Sequence, residues 1–96
     1  MKPSRALNEK REAIRSAVTR CGASNPRVFG SVLHGADVEG SDLDLLVDPL
    51  PGATLFDLGG LQVELEVLLG VRVDLLTPGD LPVAVRNKVI QEAIAV

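Results

Sequence analysis

The chain has 96 residues, enough for one domain (residues 1–96) with a single core, and its 46% of hydrophobic residues excludes a disordered chain and favours a compact α/β domain. A net charge of −3 with only two aromatic residues argues against nucleic acid binding, and no apolar run is long enough to cross a membrane. One cysteine and one histidine exclude an internal disulfide and a four-ligand zinc site, so a cytoplasmic protein is expected.

Positive charge is concentrated at the start of the chain. Residues 1–27 carry seven Lys and Arg against two Glu, whereas the remainder carries three against eleven acids. A basic first helix indicates a surface that meets phosphates or an acidic partner, or else an ordinary solvated helix face.

The first predicted element is an amphipathic helix over residues 4–20, with Ser4 as its N-cap and a stop at Gly22. A turn over 24–26 follows, and 27–29 is predicted as a short strand. A second strand is predicted after it, over residues 43–47, because two prolines just beyond it prevent further pairing in a sheet.

The second half of the chain begins with a capping-box pattern, Thr54 followed by Asp57, which predicts a leucine-rich helix to about residue 69. The pair Gly59-Gly60 lies inside that helix and indicates either a close approach of another group or simple tolerance. A third strand is predicted over 71–76. A last helix follows it.

Asp80 is the predicted cap of that last helix, and Pro82 is expected in its first turn. The predicted order is helix, strand, strand, helix, strand, helix. This order favours a small mixed three-stranded sheet with helices packed mainly on one side.

Two alternating carboxylates open the second strand. Side chains alternate along a strand, so Asp42 and Asp44 share a face with Cα atoms about 6.6 Å apart, while Leu43 and Leu45 point into the core. Like charges at this spacing repel, and a divalent cation between them relieves the repulsion. Oxygen ligands suit Mg²⁺ or Mn²⁺, and Asp74 on the third strand is available as a third ligand. The alternative is a set of solvated acids at a strand end.

The dipeptide Gly30-Ser31 leaves the first strand ten residues ahead of Asp42. A turn of this kind lets backbone N–H groups and a hydroxyl approach a phosphate without a clash from a Cβ atom. The combined pattern therefore predicts a phosphate-binding turn that faces a pair of acids. The spacing of Gly30 and Gly35 mimics a Walker A loop, but Ala36 and Asp37 stand where that motif requires Lys and Ser or Thr.

At this point the chain resembles the minimal nucleotidyltransferases (MNT domains) of the polymerase β superfamily. Their pattern is Gly-Ser after a strand, a further Gly, Ser-Asp-x-Asp on the next strand and a later acid on a third strand. The matching residues are Gly30, Ser31, Gly35, Ser41, Asp42, Asp44 and Asp74. The resemblance covers nearly the whole chain and implies a polymerase β-like nucleotidyltransferase fold.

The resemblance also implies roles. Asp42 and Asp44 would hold Mg²⁺ on the triphosphate of ATP, Asp74 would complete a second metal site and help to activate the attacking hydroxyl, and Gly30 and Ser31 would hold the β- and γ-phosphates. The reaction would move AMP from ATP to an acceptor oxygen.

Four residues depart from this pattern or have two interpretations. His34 replaces the basic residue that relatives carry before the second Gly, and it is either a catalytic group or a surface side chain. Val32 and Leu33 stand where more polar residues are usual. Ser41 would contribute to nucleotide binding through a hydrogen bond to a carboxylate, or it belongs to an ordinary turn.

Small MNT proteins commonly act as antitoxins beside HEPN ribonuclease toxins, so the resemblance implies an antitoxin that adenylylates a tyrosine hydroxyl on a HEPN-type toxin. The alternative is an antitoxin that neutralises its partner by binding alone. Transfer to a small molecule would need a pocket that 96 residues do not build without a second copy, which leaves a homo-oligomer open.

Overall fold

The computed structural model describes residues 1–96 and shows a mixed sheet with helices packed against it. Its strands are ordered β3-β2-β1-β4, with β1 antiparallel to β2 and β4 and with β2 parallel to β3. No helix is both long and apolar enough to cross a bilayer. The elements in chain order are α1 (Pro3–Glu9), α2 (Arg11–Arg20), β1 (Ala23–Phe29), α3 (Gly30–Leu33), β2 (Leu43–Pro49), α4 (Leu55–Leu69), β3 (Val73–Leu76), a 3-10 turn (Pro78–Asp80), α5 (Val83–Glu92) and β4 (Ile94–Ala95).

The expected mixed α/β architecture is confirmed, with one strand more than the sequence predicts. The extra strand β4 has two residues and pairs with Arg27 and Val28 of β1. A two-residue strand has no alternation of its own, so the sequence gives no signal for it.

The core lies between the sheet and the helices α2 and α4. Alternate residues of β2 enter it, as expected from strand periodicity, and the leucine stripe of α4 meets them. Fully buried members of this core are Ile14, Leu43, Leu45, Val47, Leu61 and Leu65.

The prediction of one helix over residues 4–20 is wrong, because the chain breaks at Lys10 and forms α1 and α2. Ser4 is not the N-cap either. Pro3 occupies the first helical position, where its missing N–H costs nothing, and this moves the start to Lys2. The N–H of Ser4 instead donates to the carboxylate of Asp37, 2.9 Å away.

Two further boundaries differ from expectation. The predicted turn over 24–26 lies inside β1 as an irregularity of the ladder, with Asn25 at φ 53°. Asp80 does not cap α5, because it forms a capping box with Thr77 around the 3-10 turn, and Pro82 takes the N-cap position of α5.

Helix α4 begins with the expected capping box between Thr54 and Asp57. The glycine pair at 59–60 has no neighbouring atom within 4 Å of the position where a Cβ would stand, so close approach of another backbone is wrong as an explanation, whereas close approach of a ligand stays a prediction beside simple tolerance. The outer face of α4 is also apolar, with Phe56 92% exposed and Val67 80% exposed.

The outer edge of the sheet is closed by side chains of α4. Strand β3 lies at this edge, so half of its backbone N–H groups have no strand to bond. Glu66 accepts from the N–H of Val73 at 3.0 Å, and Gln62 accepts from the N–H of Leu75 at 3.4 Å. The helix thereby fixes the position of β3 on both sides of Asp74.

Replacing Glu66 by alanine should lower the free energy of unfolding by about 1 kcal/mol, because the N–H of Val73 loses its charged acceptor. Glu66→Gln is the matched control, since it keeps an acceptor oxygen at the same reach. Urea denaturation measures the stability, and hydrogen exchange should show faster exchange at Val73 in the alanine variant alone. Equal exchange in both variants would contradict this role.

Candidate active site

The parallel register of β2 and β3 brings Asp44 and Asp74 together. The two residues are direct partners across the ladder, as Leu43 is with Val73 and Leu45 with Leu75. Partners in a parallel pair project to the same face of the sheet, on strands about 4.8 Å apart. With leucine and valine on the core face, both carboxylates are directed to the opposite face.

The environment of Asp44 raises its pKa to about 6, first because partial burial disfavours the charged form and then because of the negative charges of Asp74 and Asp42. A hydrogen bond with Asp74 also favours a proton on Asp44. The partly buried carboxyl group of Asp44 therefore lies among neighbours that disfavour its negative charge.

Asp42 bonds to a basic side chain, unlike the other two acids. Its Oδ1 accepts a hydrogen bond from Nε of Arg72 at 3.0 Å, and the Arg72 side chain is 79% exposed. With the side chains in these positions, no three His, Cys, Asp or Glu residues are grouped closely enough to hold a metal ion. Arg72 immediately precedes β3 and reaches Asp42 because β3 lies beside β2, a contact that no spacing in the sequence indicates.

The chemistry of the donors nevertheless fits a divalent cation. Asp44 and Asp74 supply oxygen ligands that repel each other without a positive charge between them, and Mg²⁺ and Mn²⁺ prefer such ligands. Asp42 is two residues from Asp44 and is held only by an exposed ion pair, which contributes little to stability and is readily exchanged.

Gly30 lies directly against the Asp44 carboxylate. The ladder pairs Phe29 with Asp44, which places the next residue of the chain beside the acid. A methyl group on Gly30 would overlap Oδ2 of Asp44 and stand 2.9 Å from its Cγ, and the φ angle of Gly30 is +71°. The expected phosphate turn and the expected acid pair are therefore in contact.

Ser31, His34 and Ser41 lie in α3 and in the loop that leads from it to β2. Ser31 is the second residue of α3, whose first-turn N–H groups have no acceptor within so short a helix. The hydroxyl of Ser41 accepts from the N–H of Val38 at 3.0 Å, which favours the turn interpretation of this serine. His34 caps α3, is 60% exposed and has Nε2 3.5 Å from Oε2 of Glu92.

Asp37 was not singled out as a site residue by its spacing, yet it anchors the loop between α3 and β2. It is 7% exposed, and its hydrogen bond from the backbone of Ser4 lowers its pKa. The loop that leads to Asp42 is thus tied to the start of α1. A buried acid ahead of an acid-rich loop has no periodic signal in the sequence.

Comparison with known proteins gives matches over most of the chain. A family model described as a nucleotidyltransferase domain matches residues 8–96. A "putative protein adenylyltransferase" of Methanocaldococcus jannaschii is 33% identical over 90 residues, which cover 94% of this chain and 97% of that protein. A "protein adenylyltransferase MntA" of Thermococcus cleftensis is 38% identical over 77 residues, or 80% of this chain and 78% of the relative.

Solved structures show the same architecture. One described as a "putative minimal nucleotidyltransferase" has a TM-score of 0.87 and 46% identity, covering 97% of this chain and 95% of the other. A toxin-antitoxin crystal structure with AMP-PNP has a TM-score of 0.66 at 17% identity, over 84% of this chain and 70% of that one, and so shares the fold. The fold expected from the motif is confirmed as that of the minimal nucleotidyltransferases.

Asp44→Asn is expected to stabilise the metal-free protein at neutral pH. The carboxyl has a pKa of about 6 in the fold, against about 3.9 in an unfolded chain, so its ionisation weakens the fold as pH rises from about 4 through 6. Because the group is only partly buried, we expect a gain on the order of 1 kcal/mol at pH 8 that disappears near pH 4. Urea denaturation in EDTA measures it, and Asp42→Asn, which removes only one of the smaller causes of the shift, should give a smaller gain. A gain that is equal at both pH values would contradict this assignment.

Gly30→Ala should damage the protein more than Gly35→Ala. Both glycines have a positive φ, +71° and +68°, so both variants lose about 1–2 kcal/mol to backbone strain. Only position 30 faces the Asp44 carboxylate, whereas a Cβ at position 35 meets no atom within 4 Å. We expect a larger fall in melting temperature and loss of nucleotide binding for Gly30→Ala alone. Identical behaviour of the two variants would rule out the contact.

Proposed function

Because the chain belongs to the nucleotidyltransferase domain family, we propose that it transfers AMP from ATP to a tyrosine hydroxyl of a HEPN-type ribonuclease toxin and thereby acts as an antitoxin in the cytoplasm. The observation that carries the proposal is the contact of Gly30 with Asp44, opposite Asp74. The names of the two relatives, both called protein adenylyltransferases, support a protein acceptor.

The acids have distinct tasks in this proposal. Asp42, Asp44 and Asp74 would hold Mg²⁺ or Mn²⁺, which when bound supplies positive charge to the triphosphate and favours ionisation of the acceptor hydroxyl. Asp44, with its pKa raised to about 6, would bind the cation as a carboxylate. Asp42 would hold the cation only after leaving its bond with Arg72, and the guanidinium would then be available to phosphate oxygens.

The turn binds the leaving end of the nucleotide. Gly30 allows the backbone to run against the acid pair, and the first-turn N–H groups of α3 together with the Ser31 hydroxyl would receive the β- and γ-phosphates. Ser41 would contribute by holding the loop between α3 and β2, since its hydroxyl accepts a hydrogen bond from the N–H of Val38. Catalysis then consists of positioning the phosphate and the acceptor and of neutralising charge.

Label transfer tests the reaction. The purified chain is incubated with Mg²⁺, a purified HEPN-type protein from the same genome and ATP labelled at either the α- or the γ-phosphate. The α-label alone should reach the acceptor, since adenylyl transfer expels the β- and γ-phosphates. Asp44→Asn and Asp74→Asn should lose at least 100-fold in rate, while Glu12→Gln on the exposed face of α2 keeps full activity.

Nucleotide binding provides a second readout. Mg²⁺–ATP at about 100 times Kd should add about 2.7 kcal/mol to the free energy of unfolding, and Asp44→Asn should lose this gain. If the Asp variants still neutralise the toxin and no α-label is transferred, the chain acts by covering its partner and the transferase proposal is wrong.

A further inference from the structure

A groove beside the phosphate turn has no role in the proposed chemistry. It has a volume of about 250 Å³ and lies between the α1–α2 junction, β1, α3 and β4. Its apolar lining comprises Leu7, Val28, Val32, Leu33 and Ile94, and Arg11 stands at its side. We call it the α3 groove.

The floor and the walls of the α3 groove differ in exposure. Leu7 and Val28 are buried core residues, whereas Leu33 is half-buried and Ile94 is 59% exposed. Val32 and Leu33 are the two apolar residues of α3, next to Gly30-Ser31 in the chain. An aliphatic or aromatic side chain that entered the groove would cover Leu33 and Ile94 and would lie next to the turn.

Arg11 is the charged residue that lines the groove. It donates to the side chain of Asn8, and Arg15, one turn further along α2, donates to the main-chain oxygen of Val96. Neither they nor Lys10 takes part in an ion pair, although the other arginines of α1, α2 and β1 do. The positive charges of these three side chains therefore have no acidic side chain as a partner.

Acids on the adjoining elements only partly offset this charge. Glu9 is paired with Arg5, and Glu92 lies 3.5 Å from His34. Glu12 is the acid of α2 that has no ionic partner. Asp37 accepts from the N–H of Ser4, which also lines the groove. Arg11 lines the groove and Lys10 and Arg15 lie near it in the chain, so three positive side chains exceed the two acids Glu12 and Asp37 that have no ionic partner.

We propose that the α3 groove binds an acidic segment of the protein acceptor, which inserts an apolar side chain between Leu33 and Ile94 and places carboxylates against Arg11 and Arg15. Charge complementarity selects an acidic segment. Val32 and Leu33 follow Gly30-Ser31, the turn assigned to the leaving β- and γ-phosphates, so the bound segment lies beside the nucleotide but outside the reacting centre, and the acceptor hydroxyl comes from another part of the acceptor. The identity of the partner as the acceptor rests on the proposed function, whereas the binding of an acidic apolar segment does not.

Peptide binding tests the groove without catalysis. Two short fluorescent peptides are compared, one in which leucine and phenylalanine alternate with glutamate and one with lysine in place of every glutamate. The acidic peptide should bind the full chain, more weakly at high salt, and the lysine peptide should not bind. Ile94→Asp should weaken the acidic peptide at least tenfold and Arg11→Glu about tenfold, while Arg11→Lys stays within threefold.

Val67→Asp is the matched control, since it puts the same charge on an exposed apolar residue of α4, far along the chain from the groove. The proposal is overturned if the two peptides bind equally, if neither binds, or if Val67→Asp weakens binding as much as Ile94→Asp. It is also overturned if sedimentation shows a dimer of the wild-type chain that Ile94→Asp dissociates, because a second copy then occupies the groove.

Transfer kinetics connect the groove to the acceptor. In the label assay, Arg11→Glu should raise KM for the HEPN-type protein about tenfold with unchanged kcat, and the stabilisation by Mg²⁺–ATP should equal that of the wild type. Unchanged KM would overturn the assignment of the groove to the acceptor. Absence of transfer in the wild type would instead defeat the proposed function, and the peptide measurements would still decide whether the groove binds acidic segments.

Discussion

The parallel register between β2 and β3 is the constraint on which the site depends. Side chains alternate along both strands, so the apolar residues that enter the core also determine which residues face away from it. Burying Leu43 and Leu45 on one strand and Val73 on the other leaves Asp44 and Asp74 opposite each other. A slip by one residue would bury the two acids and expose the leucines, so the stability of the core holds the acids in place.

In this arrangement neighbouring carboxylates repel one another at a position that the fold holds fixed. Burial and two neighbouring carboxylates raise the pKa of Asp44, and the backbone of Gly30 closes the space on its other side. The unfavourable free energy of this repulsion is offset by the packing of the core on the opposite face of the sheet and by the hydrogen bonds of Glu66 and Gln62 to β3. Sites that bind charged substrates commonly contain such electrostatically unfavourable groups before the substrate is bound.

Local patterns predicted much of this structure, because strand alternation, the Thr54 capping box and the Gly-Ser spacing are set by neighbours in the chain. The resemblance to minimal nucleotidyltransferases added the expectation that three acids belong to one site. Long-range contacts escaped prediction, since no spacing reports that Asp37 accepts from Ser4 or that Arg72 reaches Asp42. The break at Lys10 and the strand β4 depend on tertiary packing in the same way.

The two edges of the sheet, formed by β3 and β4, restrict how a partner recognises this chain. Along β3 the outward N–H groups of Val73 and Leu75 already bond to α4, and on the opposite side the last strand is only two residues long. Addition of an extra strand is therefore disfavoured at both margins. A partner is expected to contact side chains, in grooves and on helix faces, and the same arrangement disfavours polymerisation of the fold through its own backbone.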